Sequence, residues 1–591
     1  KKKKKKKQEE EGAKAALEVG GFGGSPKEEV GNKEELELEG AGLLPPLVLF
    51  GPPGTGKTLT LVEAVLQILA NSDPGGGGEG HVRILLCAPS EAAANVLCLR
   101  LADLGIEPHE MHRLCWWQVS LAEIPPQLLR FTAAGDDGVL SPQCPPNAPF
   151  KVIVSTCAGA GQLPLLGWQR GAFSHIIVDE SCQALEPEAL IPLSLAGPLT
   201  CSVLCGDPRQ LGASVRSPTL ARELGTSLQE RLMDRAAATL KAAREKSSRE
   251  KRSQGREVSR VFSSRLPPPG LPPVLGPNGA GGLKAGEQLP TTGLPGLELD
   301  ENTSMLRANY RSHRSLLSVP SELFYGGALE ALAPDSTAES MLGWEQLPNA
   351  QVPLLFYGVR GVDMAELDSP SYFNLVEALQ VAALIRQLLA SSKVPAVATN
   401  EIGVVCAFRR QVLKLRKLLR ERGLGAVNVG QVEDFQGRED RVIIVSTVLA
   451  RPDFVARQLA RGLDQARLLQ GPTSVDPALG LILSPKRFNV AVTRAKALCV
   501  VVGSPDVLVL DDCWRRYLEH AKEQKAWFGV GSRALGVGLN GTDASEGTDA
   551  EALLDRIAGS LSSCTLGGGD LEETYPTQVS YNDEREWRVM L

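Results

Sequence analysis

The sequence predicts an α/β protein with two domains, each built around a parallel β-sheet. Short, almost wholly apolar strands alternate with longer helical stretches along most of the chain. Strands that are buried on both faces have this composition, because helices cover a parallel sheet on either side. A glycine-rich turn at residues 51–58, between the first strand and the first helix, also favours this class.

Composition excludes several kinds of protein. The 591 residues are 43% hydrophobic and 22% charged, as in ordinary globular domains. The net charge of −6 excludes a globally cationic surface, so nucleic acid would have to bind in a local groove. No apolar run reaches membrane-spanning length, and we expect no membrane association. Because the first residue is Lys1, we expect the chain to be a fragment.

The twelve cysteines contain no C-x-x-C pair, and the six histidines are scattered. Cys201 and Cys205 fall on one predicted buried strand, which favours core thiols over a zinc site. Free thiols fit a reducing compartment.

Composition also divides the chain into segments. Residues 1–40 join seven lysines to a Glu- and Gly-rich stretch and are predicted to be disordered, although the lysines could attract nucleic acid or direct import. Residues 41–235 are the predicted first domain, with an insertion at about residues 105–150. Residues 236–300 are charged and then Pro/Gly-rich, which predicts a flexible insertion. The second domain is predicted at 301–529 and a mobile tail at 530–591.

Individual elements follow from the apolar pattern. Strands are predicted at residues 47–50, 82–88, 151–154, 175–178, 201–205, 353–358, 402–407, 442–447 and 498–503. Helices are predicted at residues 58–66, 91–101, 236–256, 374–389 and 409–422.

The turn at residues 51–58 reads G-x-x-x-x-G-K-T between a strand and a helix, the pattern of a phosphate-binding loop. Glycines let backbone N–H groups approach phosphate oxygens, and the helix N-terminus adds partial positive charge. We expect Lys57 to reach the outer phosphates of a bound nucleotide and the Thr58 hydroxyl to bind Mg²⁺. The predicted nucleotide-binding residues here are Gly51, Pro52, Pro53, Gly54, Thr55, Gly56, Lys57 and Thr58.

Two later strands end in polar residues suited to catalysis. Asp179 and Glu180 follow the strand at residues 175–178. Asp179 is predicted to hold Mg²⁺, and Glu180 to polarise the attacking water. Gln210, in the turn after the next strand, is a candidate sensor of the γ-phosphate, with an ordinary strand-to-loop turn as the alternative.

Six segments occur in an order that resembles motifs I to VI of superfamily 1 helicases, in the up-frameshift-one-like branch. They are residues 51–58, 179–183, 206–212, 309–313, 432–439 and 489–496. Within that branch, residues 368–374 and 485–496 are most similar to the Armitage / Moloney-leukaemia-virus-ten RNA helicases. The resemblance covers residues 46–527 except 236–300.

This resemblance implies two RecA-like domains of the P-loop NTPase type, with ATP in the cleft between them and single-stranded RNA across their top. Tyr310 matches the aromatic residue that stacks on the base, and Glu439 a residue on the ribose side. Arg311 and Arg494 match arginines that reach the γ-phosphate, where a delocalised charge stabilises the transition state.

Contacts with RNA are implied at two further motifs. Ser90 matches a position that holds RNA phosphates together with backbone amides, and Ser155 and Thr156 match another. A helix N-cap is the alternative for Ser90, since a predicted helix begins at the next residue. For Trp116 and Trp117, packing is favoured over stacking on bases.

The sequence therefore predicts an ATP hydrolase that works as an RNA helicase or translocase, moving 5′→3′ along single-stranded RNA and ribonucleoproteins as a monomeric motor. The resemblance implies RNA-mediated gene silencing or mRNA decay, with partners from those pathways, in cytoplasmic ribonucleoprotein granules (P-bodies). Three alternatives stay open: a DNA helicase of the same superfamily, a non-hydrolysing RNA-binding scaffold, and a remodeller that strips proteins without unwinding.

Overall fold

The computed structural model describes most of the two predicted domains. The described residues are 44–71, 82–116, 119–133, 144–215, 217, 220, 224–242, 246, 302–365, 371–458 and 479–541. The predictions for residues 1–40, 247–300 and 542–591 lie outside them, as do Trp117 and residues 366–370.

The chain divides into two compact units. Unit 1 takes residues up to 48, 61–180 and 187–204, and unit 2 takes residues 49–60, 181–186 and those from 205 onward. Because residues 49–60 belong to unit 2, the phosphate-binding turn groups with the later part of the chain, and these boundaries differ from the predicted domains 41–235 and 301–529.

The strands of the described chain are these: β1 Leu47–Phe50, β2 Ile84–Ala88, β3 Met111–Leu114, β4 Val152–Thr156, β5 His175–Val178, β6 Cys201–Gly206, β7 Thr303–Met305, β8 Ala308–Asn309, β9 Glu330–Ala331, β10 Leu354–Gly358, β11 Asp363–Ala365, β12 Tyr372–Asn374, β13 Ile402–Cys406, β14 Asn428–Gln431, β15 Asp440–Ser446, β16 Ala495–Gly503 and β17 Trp527–Gly529.

The α-helices are these: α1 Lys57–Ala70, α2 Glu91–Asp103, α3 Glu186–Leu193, α4 228–242, α5 Arg314–Tyr325, α6 Asp335–Ala338, α7 Leu375–Ala390, α8 Arg409–Glu421, α9 452–458, α10 Pro485–Val492, α11 Pro505–Leu508 and α12 Asp512–Glu523. Short 3₁₀ turns connect several of them.

Unit 1 is built on neighbouring strands in the order β3-β4-β2-β5-β6, and each of these pairs is parallel. Every residue of β2 and β4 is buried, as expected for strands covered on both faces. Strand β3 lies inside the stretch predicted as an insertion, at the edge of the sheet. Its Arg113 is buried because the guanidinium pairs with Glu91 and donates to Asn95 at 3.0 Å.

Unit 2 contains a six-stranded sheet in the order β14-β13-β15-β16-β10-β17, with every pair parallel. Alternate residues of each central strand face two separate apolar cores. In β15, Ile443 and Val445 pack in one core, and Val442 and Ile444 in the other. Truncating a fully buried aromatic residue there, such as Phe488, to alanine would cost about 3–5 kcal/mol.

Local signals fix the helix ends. Asn374 caps α7 by accepting the N–H groups of Val376 and Glu377, and Asp511 caps α12 by accepting that of Trp514. Gly326 ends α5 at a φ of +60°, a conformation that favours glycine.

The prediction of an α/β fold with two parallel sheets is confirmed. Strands β1 and β5 have the predicted bounds, β16 begins three residues before its predicted start, and the other predicted strands differ by one or two residues at one or both ends. Helix α4 begins before the predicted 236–256 helix, and the later part of that prediction lies outside the described residues. The predicted tail contains ordered chain up to residue 541, where Val537 is buried and the Asn540 side chain accepts the Gly529 N–H.

Every cysteine among the described residues is a free thiol, and all but Cys201 and Cys513 are buried. Within those residues, no three His, Cys, Asp or Glu side chains are grouped so that they could hold a metal ion. Each helix that the structure describes is too short or too polar to span a membrane.

Candidate functional site

The turn at residues 51–58 is shaped for glycine. Gly54 has a φ of +69°, in the left-handed region that other residues avoid. A Cβ added there would lie 2.6 Å from the Cβ of Arg311, and one added at Gly51 would lie 2.0 Å from Cγ of Lys57. The backbone of this turn can therefore approach an anion closely, as a phosphate-binding loop must.

Side chains at the end of the turn bond to its own carbonyl groups. Nζ of Lys57 donates to the carbonyl of Gly51 at 2.9 Å, and Oγ1 of Thr55 donates to that of Pro52 at 2.8 Å. Lys57 is also the first residue of α1, so it stands at a helix N-terminus. Burial varies along the turn: Gly51, Pro52, Pro53 and Thr55 are buried, whereas Gly54, Gly56, Lys57 and Thr58 are half-buried.

A segment of unit 2 that is 256 residues away in sequence docks on this turn. Nδ2 of Asn309 donates to the carbonyl of Pro53 at 2.6 Å, and the N–H of Tyr310 donates to that of Gly54 at 2.9 Å. These two bonds set Arg311 beside the turn. The side chain of Tyr310 is 58% exposed, which leaves its ring open to a ligand.

Arg311 is held by an ion pair and a backbone carbonyl. Its Nε donates to Oε2 of Glu439 at 2.6 Å, and its Nη1 donates to the carbonyl of Thr493 at 3.0 Å. Lys496 approaches the other oxygen of Glu439 at 3.0 Å. Burial alone would raise the pKa of Glu439, but Arg311 and Lys496 outweigh it and lower the pKa to about 2.

Arg494 contacts Gln210 directly. Its Nη2 donates to Oε1 of Gln210 at 2.9 Å, and its Nε donates to the carbonyl of Val490 at 3.0 Å. Both side chains are buried. Gln210 in turn donates from Nε2 to Oδ2 of Asp207 at 2.5 Å. Unit 2 therefore brings the turn, Arg311, Arg494 and Gln210 into one cluster.

Asp179 and Glu180 lie in unit 1, directly after β5. The N–H of Asp179 donates to the carbonyl of Cys87 at 2.8 Å, and its Oδ1 accepts the N–H of Glu180 at 2.9 Å. Glu180 has a φ of +51°, which costs a residue other than glycine about 1–2 kcal/mol. Such strain is common at functional positions.

The donor set in unit 2 fits a polyphosphate group. The turn has space only for glycine where the backbone is closest, a lysine stands at the helix N-terminus, and arginines come from two other segments. Positive charge and backbone N–H groups of this kind stabilise phosphate oxygens.

Comparison with known proteins agrees with this geometry. Two family models, each described as an AAA domain, match residues 293–506 and residues 43–116 together with 148–218. RNA helicase Mov10l1 of Homo sapiens is 37% identical over 492 residues, covering 82% of this chain and 34% of that protein. The protein named "Probable RNA helicase armi" of Drosophila melanogaster is 29% identical over 517 residues, covering 82% of this chain and 37% of its own length.

The chain belongs to the AAA-domain family that these two models describe. The resemblance predicted from the six motifs is confirmed. Mov10l1 of Mus musculus is also 37% identical, over 491 residues that cover 82% of this chain and 34% of that protein. The chain spans about a third of the length of these relatives.

The residues predicted to contact RNA differ in accessibility within this member of the family. Ser90 is exposed, and its Oγ accepts the N–H of Ala93 at 3.2 Å, so the predicted N-cap is present. Ser155 is fully buried and donates to the carbonyl of Leu114 at 3.2 Å. The hydroxyl of Thr156, also buried, accepts the N–H of Gly159 at 2.9 Å. Of these three side chains, only Ser90 faces solvent.

Trp116 is 39% exposed. Packing, the role favoured for it, therefore covers only part of its surface.

Four residues of the cluster in unit 2 had no role in the sequence analysis. Asn309 and Asp207 lie inside recognised motifs, so their position in the sequence could have suggested them. Tyr325 ends α5 and lies outside every motif, and its hydroxyl donates to Asp207 at 2.9 Å. Asn489 opens motif VI, and its Nδ2 donates to the Tyr325 hydroxyl at 2.7 Å. Only the folded structure brings Tyr325 to this cluster.

Proposed function

We propose that this chain is an ATP-dependent RNA helicase or translocase that moves 5′→3′ along single-stranded RNA and ribonucleoproteins. One observation carries the proposal: Asn309 and Tyr310 dock on the phosphate-binding turn and set Arg311 beside it. An arginine in that place can stabilise the charge that develops on a transferring phosphoryl group.

We assign the residue roles from the motif resemblance, and this geometry supports them. Lys57 binds the outer phosphates of ATP, and Tyr310 stacks on the base through its exposed ring. Arg311 and Arg494 act on the γ-phosphate, and Gln210 senses it. Glu439 contacts the ribose side and also orients Arg311 through their ion pair.

Mg²⁺ is the proposed metal cofactor. Thr58 and Asp179 are each proposed as oxygen ligands, since hydroxyl and carboxylate oxygens suit this ion. The bound ion would supply charge that stabilises phosphoryl transfer. Glu180 is proposed to accept a proton from the attacking water.

RNA is the proposed polymer because relatives over 82% of this chain are named RNA helicases. Exposed Ser90 is the best placed of the three predicted contact residues, and Ser155 and Thr156 would have to act through backbone groups. By the same likeness we propose a role in RNA-mediated silencing or mRNA decay, with partners from those pathways, in cytoplasmic ribonucleoprotein granules. A monomeric motor is proposed.

ATP hydrolysis tests the proposal most directly. Phosphate release is measured with and without single-stranded RNA for the wild type and for Lys57→Ala. We expect RNA to stimulate release in the wild type and to have no effect in the variant, because the lysine charge on the phosphates is lost. Equal rates in the two proteins would overturn the proposal.

Matched RNA and DNA substrates separate the alternatives. Preferred unwinding of DNA duplexes would identify a DNA helicase, since the 2′-hydroxyl and helix form are what differ. RNA binding without stimulated phosphate release would identify a scaffold. ATP hydrolysis that displaces a bound protein but leaves naked duplex intact would identify a remodeller.

A further inference from the structure

We propose that Tyr325 is a positioning residue for ATP hydrolysis: its hydroxyl fixes the Asp207 carboxylate, and Asp207 fixes the Gln210 amide against Arg494. This inference rests on the proposed ATPase activity and deepens it by assigning a role to a residue outside the helicase motifs. Asp207 is the buried acid at the centre of this chain of hydrogen bonds.

Asp207 is 2% exposed, so its carboxylate needs hydrogen-bond donors from the protein. Oδ1 accepts the N–H of Arg209 at 2.9 Å. Oδ2 accepts Nε2 of Gln210 at 2.5 Å and the hydroxyl of Tyr325 at 2.9 Å. Burial raises the pKa of Asp207, and the charge of Lys57 together with these three donors opposes that rise. Loss of one donor would therefore leave the carboxylate less firmly held.

The Gln210 amide has one orientation in this network. A carboxylate only accepts hydrogen bonds, so the amide nitrogen must face Asp207. A guanidinium only donates, so the amide oxygen must face Arg494, 2.9 Å from its Nη2. The contact between Gln210 and Arg494 thus depends on the position of Asp207.

The direction of the Tyr325 hydroxyl proton is also fixed by its hydrogen-bond partners. Nδ2 of Asn489 donates to the Tyr325 oxygen at 2.7 Å, so that oxygen acts as an acceptor there. Its single proton is then given to Asp207. Nδ2 of Asn489 also donates to the carbonyl of Arg209 at 2.8 Å, which ties the turn at residues 207–210 to α10.

The contributions of the ring and of the hydroxyl of Tyr325 can be measured separately. The ring is fully buried, and its centroid lies 6.0 Å from that of Phe50. Tyr325→Phe keeps this packing and removes only the hydroxyl. Tyr517 offers a matched control in unit 2, because it is also buried and its hydroxyl contacts only Sγ of Cys499, at 3.7 Å, among the bonds described for it.

The experiment compares ATP turnover at saturating single-stranded RNA in the wild type, Tyr325→Phe, Tyr517→Phe and Lys57→Ala. For Tyr325→Phe we expect kcat to fall about tenfold. We expect its KM for ATP to stay within about twofold of the wild type, because the hydroxyl positions a group that acts in the transition state. Tyr517→Phe is expected to keep the wild-type kcat. Thermal melting of each protein shows whether it is folded.

Three outcomes would overturn the inference: a Tyr325→Phe variant with the wild-type kcat, an equal loss of kcat in both tyrosine variants, or a rise in KM that accounts for the whole effect. Lys57→Ala reports separately on the proposed function. If the wild type turns over ATP faster than Lys57→Ala while Tyr325→Phe matches the wild type, only the positioning role fails. If the wild type is no faster than Lys57→Ala, the proposed ATPase fails and the positioning role fails with it.

Discussion

Arg311 and Glu439 form an ion pair in which Nε lies 2.6 Å from Oε2. The two residues are 128 positions apart, and each lies in a different helicase motif. Because the pKa of Glu439 is lowered to about 2 from its ordinary 4.5, the carboxylate is ionised at every pH of practical interest. The contribution of this ion pair to stability is therefore complete above pH 4.5 and declines only as the pH falls towards 2.

Replacing Glu439 by glutamine removes the charge that orients Arg311. We expect ATP turnover to fall by about tenfold, since hydrogen bonds between charged groups are among the stronger ones. Glu322→Gln is the matched control, because Glu322 pairs with Arg516 at 3.0 Å in the same unit, on the surface. ATP turnover of both variants is measured by steady-state kinetics. Unchanged turnover in Glu439→Gln would contradict an orienting role for Glu439.

Gly54→Ala combines backbone strain with a clash. The new Cβ would lie 2.6 Å from the Cβ of Arg311 and from Nδ2 of Asn309, so the docked segment would have to move. We expect the variant to lose the thermal shift that ATP gives the wild type.

Gly423→Ala controls for the strain in that test. Gly423 has a similar φ of +72°, and an added Cβ would meet open space. Gly423→Ala should therefore lower the free energy of unfolding by only about 1–2 kcal/mol. Chemical unfolding measures this cost in both variants. A normal ATP-induced shift in Gly54→Ala would show that the docked segment does not depend on this glycine.

Glu377 makes stability depend on pH. It is buried, accepts the Val448 N–H at 2.9 Å and the Ser446 hydroxyl at 2.7 Å, and burial raises its pKa from 4.5 to about 8. Between these values the folded chain holds a proton that the unfolded chain has released, so stability falls as the pH rises through this range. The total loss is on the order of a few kcal/mol.

Glu377→Gln should remove this dependence, because the amide does not titrate. We expect melting temperatures between pH 5 and pH 8 to fall less in the variant than in the wild type. Glu421→Gln, at the exposed end of α8, should keep the wild-type slope. Parallel slopes in wild type and Glu377→Gln would mean that another group sets the pH dependence.

Ser90 can be tested for its two roles separately. Ser90→Ala loses the cap on α2 and should cost about 1 kcal/mol of unfolding free energy. Ser90→Asp keeps a capping oxygen, so its stability should match the wild type, but its negative charge would repel an RNA phosphate. Fluorescence anisotropy with labelled single-stranded RNA measures binding. If Ser90→Asp binds RNA as the wild type does, Ser90 acts only as a cap.

Much of the fold could be predicted because its signals are local. Apolar runs gave β1 and β5 their bounds, and the phosphate-binding turn lies between its predicted strand and helix. Strand β3 was missed because its His112 and Arg113 argue against a buried strand. Arg113 is tolerated only through partners on α2, and a sequence does not display such pairing.

Some residues of the candidate site could be predicted from the sequence, and others could not. Its motif residues could be recognised from sequence, because each motif is a short continuous pattern. The bond from Tyr325 to Asp207 spans 118 residues, and the one from Asn489 to Tyr325 spans 164. Nothing near Tyr325 in the sequence distinguishes it from the apolar residues that end a buried helix. Its place in the site follows from the packing of α5 beside α10.

The buried cysteines can report local unfolding of this protein, because a buried thiol reacts with a reagent only after the surrounding structure opens. A thiol reacts only when it is ionised and reached by solvent, and burial raises the pKa of thiols such as Cys499, to about 12. Among the described cysteines, Cys201 and Cys513 are only half-buried, so a thiol-reactive dye should reach them first and should label the buried thiols only after their surroundings unfold. Labelling followed by peptide mapping would then rank the regions of each unit by how readily they open, without the addition of any engineered label site.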